Sequence, residues 1–311
     1  MSDYPSTLEA ALIEKRKIAA STAAQYMRSL YVLNGKRSYK NLAWTKNYEG
    51  VQKIIDTYAF NTQNNLYTVL SACLALYSDK STYKAAYKYW RDKMMTGRRQ
   101  QKSQDPHVKS EKQEEAWLSW DEVEKRKNEL TAETAELANH KSLTATQYDK
   151  MLQHIVLCLY TEVAPRRNMD YLQMYVVRKM PKEPETTKNY YDMENHKFYF
   201  NVYKTSKKYG CQIVDVPEPL QRCLATFIAK HPLNKNKAKE FKLLVKHDGE
   251  PYTQLNSITR ILNSVFGKAL GSSMLRHIYI STKFGSTINE MEKTAEDMGH
   301  SPTEQREYSK N

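Results

Sequence analysis

The stretch HKFYFNVYKTSKKYGCQIVDVP, His196–Pro217, decides the fold class. Within it Phe198, Phe200 and Val202 alternate with Tyr199, Asn201 and Tyr203, the two-residue period of a strand with one buried face. A turn containing lysine, serine and glycine follows, and Gln212-Ile213-Val214-Asp215-Val216 resumes the extended pattern, so the segment predicts a β-hairpin. On both sides of it the apolar residues recur at intervals of three and four. The chain is therefore expected to be mainly α with a small β-hairpin or sheet, an α+β arrangement.

Upstream, Ser119-Trp120-Asp121-Glu122 and Thr144-Ala145-Thr146-Gln147 have the form of capping boxes. The second precedes Tyr148, Met151, Leu152, Ile155 and Leu159, a strong amphipathic helix. Downstream, Leu220, Cys223, Leu224, Phe227 and Ile228 form one helical stripe after Pro219, and Ile258, Ile261, Leu262, Val265 and Phe266 form another. These segments make one domain, 116–311. The first 97 residues read as a separate bundle of short helices. Thr22-Ala23-Ala24-Gln25 fits a capping box before Tyr26, Met27, Leu30 and Leu33, and Asn34-Gly35 stops that helix. Val51, Ile54, Ile55 and Tyr58 follow, then Leu66, Val69, Leu70 and Cys73, then Tyr83, Tyr87, Trp90 and Met94 in a helix expected to end at Gly97. From Arg98 to Glu115 the sequence is polar except for Val108 and predicts a linker, 98–115. There is no internal repeat.

The chain of 311 residues is long enough for two cores. It carries 48 Lys and Arg against 35 Asp and Glu, a net charge of +13, which favours a polyanionic partner because basic groups on phosphates release condensed counterions. No run of apolar residues predicts a membrane helix. The first residues lack the basic and apolar segments of a secretion signal, so an intracellular protein is expected. The four cysteines, Cys73, Cys158, Cys211 and Cys223, are scattered, without the paired spacing of a zinc site, and read as reduced thiols. The 23 tyrosines could stack on bases or sugars, though amphipathic core filling accounts for most of them.

Four segments of the second domain carry candidate chemistry. In Ala164-Pro165-Arg166-Arg167-Asn168-Met169-Asp170, Pro165 suits the first position of a new helix. Arg167 would then sit near a helix N-terminus that favours an anion, with Asp170 one turn later to brace its guanidinium. Lys204, at the end of the first hairpin strand, could reach into a groove and donate a proton to a leaving oxygen. In Ser273-Met274-Leu275-Arg276-His277 the polar residues fall within one helical turn and could face one phosphate together. In Met298-Gly299-His300-Ser301, Gly299 ends a helix, His300 begins the next segment, and Tyr308 follows near the end of the sequence. Each has an ordinary alternative when taken alone: a surface Arg–Asp pair, a turn lysine, a helix-start serine, a terminal tyrosine.

In their order, Arg, Lys, (Ser)-x-x-Arg-His, Gly-His and Tyr resemble the tyrosine recombinase (phage integrase) family over nearly the whole chain. The segment ending at Asp170 is similar to the family's Thr-Gly-x-Arg-x-x-Glu box, with Pro165 in the glycine place and Arg167 as the catalytic arginine; Arg166 is the alternative. Ser273–His277 resembles His-x-Leu-Arg-His, and Met298–Ser301 resembles Leu-Gly-His-Ser. The Pro-Arg-Arg-Asn, Leu-Arg-His-Ile-Tyr and Met-Gly-His-Ser variants are most similar to integrases of virophages and large eukaryotic DNA viruses. Two positions depart from the pattern: Ser273 stands where the family has a histidine, and the spacing from His300 to Tyr308 is one residue short.

The resemblance implies a site-specific recombinase or integrase whose N-terminal helices form a core-binding domain clamping DNA. Tyr308 would attack a scissile phosphate and leave a 3′-phosphotyrosine. A phenol is a poor nucleophile at neutral pH until it loses its proton. Arg167 and Arg276 would clamp the non-bridging oxygens, His300 would hydrogen-bond the phosphate or the tyrosine, and Lys204 would protonate the departing 5′-oxygen. His277 or water would take over the proton transfer that Ser273 cannot perform. The chemistry calls for no cofactor and no metal. The partner implied is double-stranded DNA, with a homotetramer assembled on it, and no membrane or small-molecule substrate; the site of action is wherever the DNA target lies, the host nucleus or a viral factory for a viral protein. Two other functions fit the same residues: type IB topoisomerase-like relaxation, and a DNA-binding protein of this fold with reduced or lost catalysis.

Overall fold

The computed structural model describes residues 4–103, 108–236, 238–301, 304–305 and 308, so residues 104–107 of the expected linker lie outside it. The chain divides into two compact units, Met1–Val108 and Lys109–Asn311. It is mainly helical, with one small mixed sheet.

The first unit is all helix among its described residues: α1 (Tyr4–Arg16), α2 (Ala20–Leu33), α3 (Tyr48–Asp56), α4 (Phe60–Leu74) and α5 (Ser81–Lys102). Its core is built from Leu12, Leu30, Leu42, Ile55, Leu70 and Trp90, all fully buried. The Trp90 indole donates to the Thr45 carbonyl at 3.0 Å, which removes the cost of burying its N–H. Two sequence expectations need correction. Thr22 does not cap α2: it lies inside the helix, whose N-cap is Ala19 without a side-chain bond. Gly97 does not end α5, which runs five residues further. Gly97 is buried where α5 crosses α4, and a β-carbon there would lie 1.9 Å from Oδ1 of Asn64. The glycine permits a close helix approach and is no terminator. The end of α2 is as expected, because Gly35 adopts φ 64° and the Lys36 amide donates back to Tyr31.

The second unit opens with α6 (Glu111–Ala116), α7 (Trp120–Ala135) and α8 (Ala145–Thr161). All three begin with capping boxes, at Ser110, Ser119 and Thr144. The first lies inside the expected linker, which is thus partly helical. α8 is buried on nearly every side from Met151 to Thr161, the mark of a central core helix. After it come α9 (Asn168–Leu172), β1 (Met174–Val177), β2 (Asn189–Asp192), β3 (Lys197–Phe200), α10 (Ser206–Tyr209), β4 (Gln212–Asp215), α11 (Glu218–Ala229), β5 (Glu240–Lys242), α12 (Ser257–Phe266) and α13 (Ser272–Asp297). The sheet order is β4-β3-β2-β1-β5, with β1 and β2 parallel and the other pairs antiparallel.

The expected hairpin is β3–β4, paired Phe198 to Val214 and Phe200 to Gln212. Val202 does not extend it. The buried amide of Asn189 accepts from the backbone N–H groups of Asn201 and Val202 at 2.8 and 2.7 Å and turns the chain out of the sheet. The same side chain donates to the carbonyls of Asp170 and Val202. One fully satisfied buried asparagine therefore pins α9 to the β3–β4 connection. No helix among the described residues is long and apolar enough to cross a membrane.

Candidate active site

Arg166, Arg167, Asp170 and Arg276 converge where α9, the β3–β4 connection and the start of α13 meet. α8 stops at Thr161, and residues 164–167 run without regular structure to α9. Pro165 is therefore not the first helical residue. Arg167 is the N-cap of a helix only five residues long, too short to supply a useful dipole.

The bracing carboxylate serves the neighbouring arginine. Arg166 Nε donates to Asp170 Oδ2 at 2.8 Å and its Nη1 donates to Gln212 Oε1 at 3.0 Å. Its guanidinium lies 3.8 Å from the centre of the Phe200 ring, a cation–π stack. Asp170 is 3% exposed, and burial pushes its carboxyl above the ordinary carboxylate range while Arg166, then Arg167 and Arg276, pull it back. Its other oxygen, Oδ1, has no hydrogen-bond partner among the described residues.

A pocket of about 200 Å³ opens beside this pair, walled by Arg166, Arg167, Asp170, Tyr203, Gln212 and Arg276. Arg167 is exposed and Arg276 half-buried. Neither has an ion-pair partner among the described residues. Three guanidiniums thus surround one carboxylate, and two of them remain available to an anion. Planar guanidiniums bind phosphate oxygens two at a time, so the pocket suits a phosphate group. Lys204 is exposed in the chain between two lining residues, Tyr203 and Thr205. A larger groove of about 670 Å³ lies against Trp120, Glu162, Pro217 and Tyr279, but its walls carry one lysine against two carboxylates and no arginine.

The remaining candidates are not brought in. Ser273 and His277 are exposed on α13 and line neither pocket. α13 continues unbroken from Ser272 to Asp297, so Arg276 and Asp297 are separated by 21 residues of helix, roughly 32 Å at 1.5 Å per residue. Gly299 then ends the helix as expected, with φ 69° and the His300 amide donating to Ala295. Beyond it the rings of His300 and Tyr308 stack with centroids 5.2 Å apart, and Tyr308 is 68% exposed. Nδ1 of His300 is buried without a partner among the described residues. His300 and Tyr308 meet each other, but not the arginines.

Comparison of the chain with protein-family models, curated proteins and solved structures found no match.

Sequence reasoning missed the partners that assemble this pocket. Gln212 reads as an ordinary strand residue, and Asn189 gives no local signal because its partners lie 12 to 19 residues away. It also missed a sulfur cluster, because Cys158 and Cys223 stand 3.3 Å apart across 65 residues of sequence.

Proposed function

We propose that this chain is a DNA strand-breaking and rejoining enzyme of the tyrosine recombinase type, acting as an integrase or site-specific recombinase. The observation that supports this reading best is the pocket in which Arg167 and Arg276 stand uncommitted beside the Arg166–Asp170 pair. A scissile phosphate there would have its non-bridging oxygens held by two guanidiniums while negative charge develops. Tyr308 Oη would bond to phosphorus as the bond to the 5′-oxygen breaks. The phenol proton would leave to His300 or water, and Lys204 would protonate the departing oxygen. Attack of a second 5′-hydroxyl on the phosphotyrosine reverses the step and needs no external energy source.

The first unit adds support. The exposed face of α5 carries Lys84, Lys88, Arg91, Lys93, Arg98, Arg99 and Lys102 against a single acid, Asp92. A helical row of cations of this kind follows a phosphate backbone and sets position without reading sequence. In this proposal the partner is double-stranded DNA and the working assembly a tetramer holding two duplexes.

The separation of Tyr308 from the arginines favours a second reading, a DNA-binding protein of this fold with reduced or lost catalysis. Covalent trapping distinguishes the two. The full chain is mixed with nicked duplexes from the ends of the element that encodes it and resolved under denaturing conditions. A DNA adduct mapped to Tyr308 and absent from Tyr308→Phe is the expected result. Tight binding with no adduct on any nicked substrate would leave only the second reading.

A further inference from the structure

Away from the arginine pocket, His154 and Cys158 occupy successive turns on one face of α8, and Cys223 reaches them from α11. Cys158 Sγ and Cys223 Sγ are 3.3 Å apart, Cys223 Sγ and His154 Nε2 are 3.9 Å apart, and all three atoms lie within 4.8 Å of one another. We propose that His154, Cys158 and Cys223 form a binding site for a thiophilic metal ion of the zinc type, clamping α8 to α11.

Size is the first argument. A triangle with edges of 3.3, 3.9 and at most 4.8 Å has a circumradius of at most about 2.4 Å. Zinc sits about 2.3 Å from thiolate sulfur and about 2.0–2.1 Å from imidazole nitrogen, so an ion fits among these atoms with shifts of a few tenths of an ångström. Two sulfurs and one imidazole are the donors that select a soft or borderline ion over calcium or magnesium.

The surroundings of His154 are the second argument. Its Nδ1 lies 2.9 Å from the hydroxyl of Thr134, and that hydroxyl already donates its proton to the Leu130 carbonyl at 2.8 Å. Both ring nitrogens therefore face a hydroxyl able to accept, and in the tautomer with the proton on Nδ1 the Thr134 hydroxyl accepts it while Nε2, the atom facing Cys223, presents its lone pair to an ion. A metal-bound histidine is oriented in this way, by a hydrogen bond from its other nitrogen. Thr131, 3.0 Å from Nε2 and also donating to a carbonyl, that of Lys127, is the group the ion would displace.

Access is the third. Cys158 and His154 are buried, whereas Cys223 is partly exposed, so an ion reaches the cluster past Cys223 and keeps a fourth position for water. Three protein ligands with one open position is an established zinc geometry. The motif crosses two helices far apart in sequence, which is why the spacing of the cysteines alone does not disclose it.

The test uses the full chain, reduced and stripped of metal with a chelator, then titrated with zinc against a chromophoric competitor and, separately, with cobalt. One zinc per chain, and a cobalt adduct with thiolate charge-transfer and tetrahedral visible bands, are expected for the native protein and for Cys211→Ser, whose cysteine is exposed and outside the cluster. Cys223→Ser, at a partly exposed position that tolerates serine, should weaken zinc binding at least about 100-fold and lower the charge-transfer intensity. Equal affinity in Cys223→Ser, or no zinc bound by the reduced native chain at micromolar free metal, would overturn the site. So would recovery of the two thiols only as a Cys158–Cys223 disulfide that zinc does not protect.

Discussion

Arg166 and Arg167 are adjacent and identical in type, but the structure pairs Arg166 with Asp170 and leaves Arg167 without an ion pair among the described residues, so truncating each to alanine tests whether one supports the pocket and the other uses it. Arg166 is 18% exposed and its partner Asp170 4% exposed by side chain. Arg166→Ala removes the ion pair, the bond to Gln212 and the stack on Phe200. It leaves a buried carboxylate with no hydrogen-bond donor on either oxygen, since Oδ1 already has none among the described residues. Breaking a buried pair in this way costs roughly 3–5 kcal/mol, and the partial exposure of Arg166 places it near about 3 kcal/mol. For a unit of 203 residues (311 − 108) that is a fall in Tm of roughly 6–12 °C.

The loss has a pH signature. Burial already raises the Asp170 carboxyl, and removing the Arg166 charge beside it raises it further. A group whose folded pKa lies above its unfolded value gains stability as pH falls, so the deficit of Arg166→Ala should shrink toward acid. Arg167→Ala, at an exposed position without an ion pair, should change stability by less than about 0.5 kcal/mol. Its effect should appear in DNA binding, where one lost phosphate contact lowers the slope of log K against log salt by about 1. Thermal unfolding from pH 5 to 8 and anisotropy titrations at several salt concentrations measure both. Equal Tm losses in the two variants, or an unchanged salt slope in Arg167→Ala, would refute the division of roles.

Three further outcomes follow from other parts of the fold. His231 is fully buried, close to Leu243 O and accepting from the Leu233 amide, and burial lowers its pKa to about 4. Because the unfolded chain takes up a proton near pH 6.5 that the folded chain refuses, stability should be complete above that pH and fall as pH drops toward 4, by roughly 2–3 kcal/mol; His231→Gln should flatten this dependence in urea titrations, and an unchanged slope would exclude His231 as its source. Gly97→Ala should destabilise the first unit by roughly 1–3 kcal/mol despite alanine's higher helix propensity, because the new methyl meets Asn64, and Asn64→Ala in the same chain should restore most of the loss in a double-mutant cycle. If Tyr308 acts on a phosphate held by another protomer, a mixture of Tyr308→Phe and Arg276→Ala should form covalent DNA adducts that neither forms alone; no adduct from the mixture would confine the chemistry to one chain.

The parts of this fold legible in the sequence are those specified by local chemistry. The capping boxes at Ser119 and Thr144, the glycine ends at Gly35 and Gly299, and the alternation around Phe198 each depend on neighbours within a few residues. β1, β2 and β5 were not legible, because they are three or four residues long and β2 is buried on both faces, so no two-residue pattern arises. Gly97 misleads for a related reason: its partner Asn64 is 33 residues away, and without it a glycine near polar sequence looks like a stop. At the pocket, residue types and order pointed to an anion site, but the pairing of Asp170 with Arg166 instead of Arg167 depends on Gln212 and Phe200, which only the folded sheet supplies.

The uninterrupted course of α13 sets the terms on which Tyr308 can be catalytic. Along one straight helix the tyrosine and the arginines cannot meet, yet the half of α13 beyond Tyr279 is largely exposed and carries Ile280 and Phe284 at 46% and 40% exposure. Gly285, the residue after Phe284, has nothing within 4 Å of where a β-carbon would stand, and with Ser286 it forms the kind of Gly/Ser pair at which helices kink. From Arg276 to Gly285 the helix rises about 14 Å, and an equal length beyond Gly285 reaches Thr294. Folding α13 back on itself at that glycine would therefore bring Thr294 level with Arg276, carry Met298–His300 past it to within a loop's reach of the pocket, and cover the two apolar side chains. The energetic cost is a few exposed helical hydrogen bonds, each worth about 1 kcal/mol net, against the burial of Ile280 and Phe284. Gly285→Ala changes helix propensity in favour of the straight form by about 1 kcal/mol without touching the pocket. An enzyme that bends should then lose up to about fivefold in covalent adduct while keeping its DNA affinity. An enzyme that instead delivers the tyrosine from a straight α13 to a neighbouring protomer should keep both.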